Sequence, residues 1–319
     1  MKTKILMAIV VSLLVISVVS VGLVGAKPDN PGKGRKPDKQ RPVPATDVEL
    51  VKKVSIGRPG PPIIPPGQTK PRKGKKRGAA TGILGDTVSG SRYAVVVGIS
   101  DYPGEENDLE YCDDDAIEMA DALYLYYFTN VALLTNLEAT RAAILTAIED
   151  IAYIAGSDDE VVFFFSGHGV KGLAQDWDKE RVDEGIVVHD GTNITYIWDG
   201  ELQAAFSGFD TSRIIFIFDT CLAGGMKRDL EADGRVIAMA TTENGTAIER
   251  SDLENGEFTY YFVDEGMLQG KANVHDYDED EVLEEPEQVT VEEAFDYAKA
   301  NCAYDKPTIG DEFENDLLP

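Results

Sequence analysis

Two short stretches carry residue types suited to covalent chemistry. One is Ser166-Gly167-His168-Gly169, which ends the apolar run 161–165. The other is Asp219-Thr220-Cys221, which ends the apolar run 214–218. The thiolate is the nucleophilic form of cysteine. A neighbouring imidazole can take its proton and later return it to a leaving amine. Each apolar run has the length of a buried strand in a parallel sheet, and each stops at small or turn-forming residues. Parallel strands release their loops at one sheet edge, where open α/β sheets place their sites. The two runs therefore predict His168 and Cys221 side by side at that edge. A histidine after a single strand would by default be structural. Gly169 has no side chain to keep a carbonyl away, and the backbone N–H of Cys221 is a second candidate donor to an oxyanion.

The rest of the chain supplies the elements that would hold this pair. Residues 93–99 read as a first buried strand. Residues 113–126 read as a helix with Ala116, Met119, Ala120, Leu123 and Tyr127 on one face. A short strand at 131–135 and a helix over 140–154 follow, with Ile144, Ala147, Ile148 and Ile151 inward. A helix opens near Asp199, read as its N-cap. A strand at 236–240 precedes helices over 258–268 and 291–300, the last behind the capping box Thr290-x-x-Glu293. Strands alternating with helices predict an α/β fold, a mostly parallel central sheet with helices on both faces.

The net charge of −27 conceals two opposite parts. Residues 27–82 carry +11 and 11 of the 15 prolines with few large apolar residues. Such a segment cannot build a core and predicts an extended, mobile arm. Residues 83–319 carry −40, which excludes nucleic acid as a partner of that part and suits cationic substrates or divalent metals. The arm ends in Lys70-Pro-Arg-Lys-Gly-Lys-Lys-Arg77, either a solvated basic linker or a pro-segment with cleavable bonds. Before it, Lys2 and Lys4 precede the uncharged run 5–26, which ends in Val24-Gly25-Ala26. That is the pattern of an export signal, with a retained membrane anchor as the other option. Either places the acidic part outside the cytoplasm, secreted or anchored. The expected organisation is thus 1–26 signal or anchor, 27–82 basic arm, and 90–319 one globular domain. Three cysteines make no disulfide framework and leave at least one thiol unpaired. Cys112 and Cys302 fit buried small apolar residues; Cys221 departs from that reading because it lies beyond its strand.

The ordered motifs together resemble the caspase and metacaspase family of cysteine peptidases (clan CD). Besides the two stretches above, the resemblance includes Tyr93-Ala-Val-Val-Val-Gly-Ile-Ser100, Tyr111-Cys-Asp-Asp-Asp-Ala116 and Gly234-Arg-Val-Ile-Ala-Met-Ala240. It continues through Gly256-Glu-Phe-Thr-Tyr-Tyr261 and Val289-Thr-Val-Glu-Glu-Ala-Phe295. It implies a caspase-like three-layer sandwich, with His168 and Cys221 as a catalytic dyad and Gly169 and Cys221 as oxyanion donors. An Asp two residues before the cysteine is similar to the metacaspases, which cut after Arg or Lys. By that resemblance the primary specificity (S1) pocket is Cys112, Asp115, Ser166 and Asp219. Two carboxylates in a pocket favour a guanidinium or ammonium. Asp113 and Asp114 read as helix N-terminal acids, a role Asp115 can share.

The chemistry so implied requires no cofactor. Some metacaspases carry an accessory calcium site, and its best matches here are Asp183, Asp199 and Asp229, with Gly200 standing where a further acid is expected. The acidic stretch Asp276-x-Asp278-x-Asp280 reads as a solvated loop, because Glu281 occupies the position where a calcium loop turns on glycine. The expected partners are peptides or proteins with Arg or Lys at the cut, and the membrane only through an uncleaved N-terminal segment. The expected state is a monomer. The rival reading is a non-catalytic caspase-fold module that binds basic partners through its acidic face.

Overall fold

A computed structural model describes residues 48–57, 78–83, 88–173, 182–275 and 289–313. The expected export signal, the basic run 70–77, Trp177 and the acidic stretch 276–280 lie outside the described residues.

In chain order the strands are β1 (Glu49–Val51), β2 (Val54–Ile56), β3 (Arg92–Gly98), β4 (Asn130–Thr135), β5 (Glu160–Ser166) and β6 (Gly169–Leu173). They continue as β7 (Val182–His189), β8 (Ile194–Trp198), β9 (Ile214–Asp219), β10 (Arg235–Met239), β11 (Ile248–Arg250), β12 (Asn255–Gly256) and β13 (Thr308–Asp311). The helices are α1 (Cys112–Leu125), α2 (Arg141–Ile154), α3 (Asp199–Phe206), α4 (Lys227–Leu230), α5 (Glu257–Thr259) and α6 (Val291–Asn301). A wider π-type helix over Tyr260–Leu268 continues α5.

Among the described residues the central sheet has the order β13-β10-β9-β5-β3-β4, and only β13 runs antiparallel to its neighbour. Its strands are buried on both faces, so they read as continuous apolar runs, and alternate residues serve opposite cores. Val95, Val97, Phe163, Phe165, Phe216 and Phe218 pack with Ile144, Ile148 and Ile151 of α2 and with Leu202 and Phe206 of α3. Ala94, Val96, Val162, Phe164, Ile215 and Ile217 pack against α1, the π-type helix and α6. This is the three-layer sandwich expected from the sequence. Each fully buried Phe contributes roughly 1.5–3 kcal/mol by leaving water.

Two smaller sheets flank the sandwich. One is β1-β6-β7-β8, antiparallel throughout. The other is β12-β11-β2, in which β2 and β11 run parallel. No helix among the described residues is long and apolar enough to cross a membrane.

Thr290 accepts from the N–H of Glu293, and the Glu293 carboxylate accepts from the N–H of Thr290, so the expected capping box forms at α6. Three expectations are corrected. Tyr127 is 70% exposed. Helix α1 stops before it, and its backbone turns left-handed at φ 65°, so Tyr126 enters the core instead. Asp199 is the first residue of α3 rather than its cap; its carboxylate accepts from the N–H of Glu184. Finally, residues 49–56 are strands of the folded unit, although composition assigned all of 27–82 to a free arm. Val48 and Leu50 rest on the first core and Val51 on the Cys221 cluster.

Candidate active site

Strands β5 and β9 are adjacent and parallel, with Ser166 paired to Asp219 at their ends. The loops beyond them leave the same edge in register, bringing His168 and Cys221 out together. The amide of Gly167 donates to the carbonyl of Asp219 at 3.3 Å and ties the loops to each other. A Cβ on Gly169 would stand 2.2 Å from the carbonyl oxygen of Cys221, so this close approach is open only to glycine. After Cys221 the backbone enters the left-handed region at Leu222, φ 62°, a conformation that costs about 1 kcal/mol or more outside glycine. Thr241 braces the turn: its hydroxyl donates to the carbonyl of Thr220 and accepts from the N–H of Ala223.

The imidazole of His168 is held on three sides. Its ring stacks on Tyr102 with centroids 4.9 Å apart. Nε2 lies 2.8 Å from the carbonyl oxygen of Asn107, and Nδ1 accepts from the amide of Lys53 at 2.9 Å. A carbonyl only accepts and an amide N–H only donates. Those partners therefore assign the proton to Nε2 and leave Nδ1 as the basic nitrogen, turned to Lys53. Burial pushes the His168 pKa down to about 4, although the Asn107 carbonyl raises it. Burial pushes the Cys221 thiol up to about 12, despite the N–H of Ala247 donating to its sulfur at 3.2 Å. Both groups are thus neutral around pH 7 in this arrangement.

Beside the pair is a closed acidic pocket. Gly98 lets it form: a Cβ there would meet the carbonyl of Cys112 at 2.1 Å, so α1 begins hard against β3. The first turn of α1 carries Cys112 and Asp115 to the sheet edge, where both are fully buried. Ser166 donates to Asp115 at 2.6 Å, and the amide of Gly256 donates to the other Asp115 oxygen at 2.9 Å. Asp219 accepts from the amide and the hydroxyl of Thr259 at one oxygen. At its other oxygen stands the ammonium of Lys53, 2.7 Å away. The same ammonium is 3.5 Å from Asp115, 3.1 Å from the Ser166 hydroxyl and 3.6 Å from the Cys112 sulfur. The four pocket residues named from the sequence thus converge on one cation.

Burial alone would pull the pKa of Lys53 down, but Asp219, Cys112 and Asp115 outweigh it and hold the value well above that of ordinary lysine. Burial raises Asp115 to about 7, against the pull of Lys53. Asp113 serves the helix end instead, exchanging hydrogen bonds with Ser100 and accepting from Asn136.

Five site residues were given no site role from the sequence, although Gly256 opens one of the motifs quoted above. Lys53 fills the pocket; Tyr102 and Asn107 hold the imidazole. Glu249 is fully buried and accepts from the Tyr111 amide and the Ser55 hydroxyl. Gly256 forms the pocket floor: a Cβ there would lie 2.3 Å from Asp219 and 2.9 Å from Asp115. The only sequence signal for Lys53 was the apolar spacing of Val48, Leu50, Val51, Val54 and Ile56 in an otherwise polar arm.

Asp183 on β7 and Asp199 at the start of α3 are buried, and Asp229 is on α4, which lies against α3. Among the described residues no group of three or more His, Cys, Asp or Glu is arranged to hold a metal ion. Cys112, Cys221 and Cys302 are all free thiols.

The caspase-domain family model matches residues 91–293. Among curated proteins the chain is 29% identical over 150 residues to metacaspase-1 of Meyerozyma guilliermondii, covering 43% of this chain and 36% of that one. It is 30% identical over 148 residues to metacaspase-1B of Aspergillus oryzae, covering 43% and 35%. The matched stretch is about a third of the length of these relatives. A solved structure of a Geobacter sulfurreducens protein superposes with a TM-score of 0.52 at 17% identity, covering 71% of this chain and 95% of that one, a likeness of fold alone. With the family model matching most of the chain, over the stretch that carries both loop motifs, this protein belongs to the caspase-domain family of cysteine peptidases.

Proposed function

We propose that this chain is a cysteine endopeptidase that cleaves after Lys or Arg, with Cys221 as nucleophile and His168 as acid and base. The observation that carries the reading is the seat of the Lys53 ammonium among Asp219, Asp115, Ser166 and Cys112, beside Cys221 and His168. A cationic side chain at that seat leaves its backbone next to the thiol. Nδ1 of His168 takes the thiol proton and the sulfur attacks the carbonyl carbon. The oxyanion is received by the backbone N–H groups of Gly169 and Cys221. Collapse breaks the C–N bond, and the imidazolium gives its proton to the leaving amine. A water, deprotonated by the same nitrogen, then hydrolyses the thioester and restores the thiol.

In this reading the Lys/Arg-rich arm is itself a substrate, and the N-terminal apolar run carries the domain out of the cytoplasm. Calcium at Asp183, Asp199 and Asp229 is an accessory to be tested and enters no step. The test is hydrolysis of Arg-, Lys- and Asp-terminated fluorogenic peptides by the full chain and by Lys53→Glu, with added Ca²⁺ and with chelator. Preference for Asp overturns the pocket assignment. Silence of both proteins with every peptide, alongside retained binding of basic peptides, moves the reading to the non-catalytic module. Loss of mass from the arm in wild type but not in Cys221→Ala is the sign of self-processing.

A further inference from the structure

Hydrolysis imposes a direction on the chain that crosses the dyad. The residue in the specificity pocket must present its carbonyl to Cys221. The nitrogen that leaves, and that His168 must protonate, then belongs to the next residue in the chain. With Lys53 in the pocket, that nitrogen is the amide of Val54. The structure has the opposite order. Nδ1 of His168 is engaged by the amide of Lys53 itself, while the amide of Val54 donates to the carbonyl of Ala247 at 3.1 Å. Strand β2 accordingly runs parallel to β11, with Val54 opposite Ile248. A chain threaded in the cleavable sense along the same edge would run antiparallel to β11.

We infer that residues 49–56 form a reverse-threaded strap that keeps the site latent, with Lys53 as a pseudosubstrate plug whose own flanking bonds are not cut in this pose. The inference rests on the pocket and dyad assigned above and adds their regulation. Three further observations agree with it. Strand β1 pairs antiparallel with β6 and sets Val51 opposite Gly169, so the strap covers the cleft on both sides of the plug. Under it Cys221 is wholly buried and His168 nearly so. Ser55 donates to the buried Glu249, anchoring the strap beyond the plug.

The strap is held largely by main-chain hydrogen bonds and one matched cation, so its occupancy depends on being tethered. Residues 57–77 join it to Ala79 and Ala80, whose amides donate to Asp296 of the domain, and the basic run 70–77 lies in that stretch. A tether of this kind gives an effective concentration on the order of millimolar, and a cut within it turns the strap into a separate peptide that dilutes away. Cleavage after a basic residue of 70–77, by a second molecule of this chain or by another protease of that specificity, is therefore the release step.

The test compares wild type with Lys53→Glu, which sets like charges in the pocket, and Val54→Pro, which removes the donor to Ala247. All are full-length chains whose folding is checked by melting curves. The readout is the rate of iodoacetamide alkylation at Cys221, followed by peptide mapping, which requires no turnover. The expected result is alkylation faster by roughly tenfold or more in both variants, with the wild-type bonds Lys52–Lys53 and Lys53–Val54 intact. Equal rates in the three proteins overturn the strap. Cys221-dependent cutting of either of those bonds overturns the reverse threading. Faster alkylation without hydrolysis of any peptide supports the strap while removing the proposed activity, so the two readings fail separately.

Discussion

The ring of Tyr102 stacks on the imidazole of His168 at 4.9 Å, and its hydroxyl both accepts from the His168 amide and donates to the carbonyl of Val187. One buried side chain thus sets the plane of the candidate base and ties its loop to β7. Loss of the hydroxyl leaves a buried N–H and a buried C=O unpaired, at about 1–3 kcal/mol. Tyr102→Phe is expected to lower the denaturation midpoint while keeping the stack, and to reduce kcat only a few-fold in the Lys53→Glu background. Tyr102→Ala loses the ring as well, and its kcat falls roughly 100-fold, close to 3 kcal/mol. Urea titration and steady-state kinetics on the pair of variants check this. Equal kcat in the two would show that the ring does not position the base.

Gly169→Ala tests the approach of the two loops. The added Cβ meets the Cys221 carbonyl at 2.2 Å, a backbone atom that cannot step aside without moving the thiol. Turnover in the Lys53→Glu background is expected to fall by roughly 100-fold or more, the scale of losing one oxyanion donor. The melting temperature should move by only a few degrees.

The pocket floor offers a specificity test. In Gly256→Ala the methyl falls 2.3 Å from an Asp219 oxygen that Thr259 pins from the other side. In the Lys53→Glu background, kcat/KM for Lys and Arg peptides should drop roughly 100-fold, about 2.7 kcal/mol. Asp219→Asn keeps the shape and removes one charge, so the loss is smaller, roughly 30-fold or about 2 kcal/mol. It should be absent for an uncharged citrulline peptide. An equal loss with citrulline would mean that Asp219 acts on the fold rather than on the cation.

Glu160 predicts a pH dependence of stability. It begins β5 fully buried, with the Arg92 and Arg213 guanidinium nitrogens no nearer than 3.8 and 4.0 Å. Burial raises its pKa to about 8, against the two arginines. In the unfolded chain it ionises at about 4.3. Between these values the native state holds a proton that the unfolded state has released, so stability falls as pH rises through the window. His168 acts in the opposite sense, adding stability as pH rises from its native pKa near 4 through the usual histidine value of about 6.5, and above pH 6.5 only about 0.4 kcal/mol of that gain remains. From there to about pH 8.5 Glu160 alone accounts for a loss on the order of 2 kcal/mol, Asp115 (about 7) and Glu118 (about 8) add losses of the same sign, and Glu160→Gln should remove only the Glu160 share of the slope measured by chemical denaturation.

The sequence alone determined the sandwich and the meeting of the two loops. Those features follow from local patterns: apolar runs of strand length, helical periodicities, and parallel strands that must end at one edge. The register that sets Ser166 opposite Asp219 came from the structure, since strand length and sheet edge alone leave it open. Local patterns also fixed the start of α6, because a capping box is satisfied within four residues. Tyr127 failed because periodicity does not mark where a helix stops, and the chain turned left-handed at Tyr127, the residue on which the pattern ended.

Only the tertiary structure decided what fills the pocket. Lys53 meets Ser166 and Asp219 across 113 and 166 residues of sequence, a separation that no local pattern spans. The strap joins β6 and β11 mainly through backbone amides and carbonyls, which every residue type supplies equally. Composition therefore read the arm as coreless, whereas its described residues 49–56 join the folded domain. It borrows two sheet edges and a pair of carboxylates from the domain. The direction in which it crosses His168 is set by which edge each half finds, β6 antiparallel and β11 parallel. That pairing separates an inhibitor from a substrate, and it exists only once the sheets are assembled.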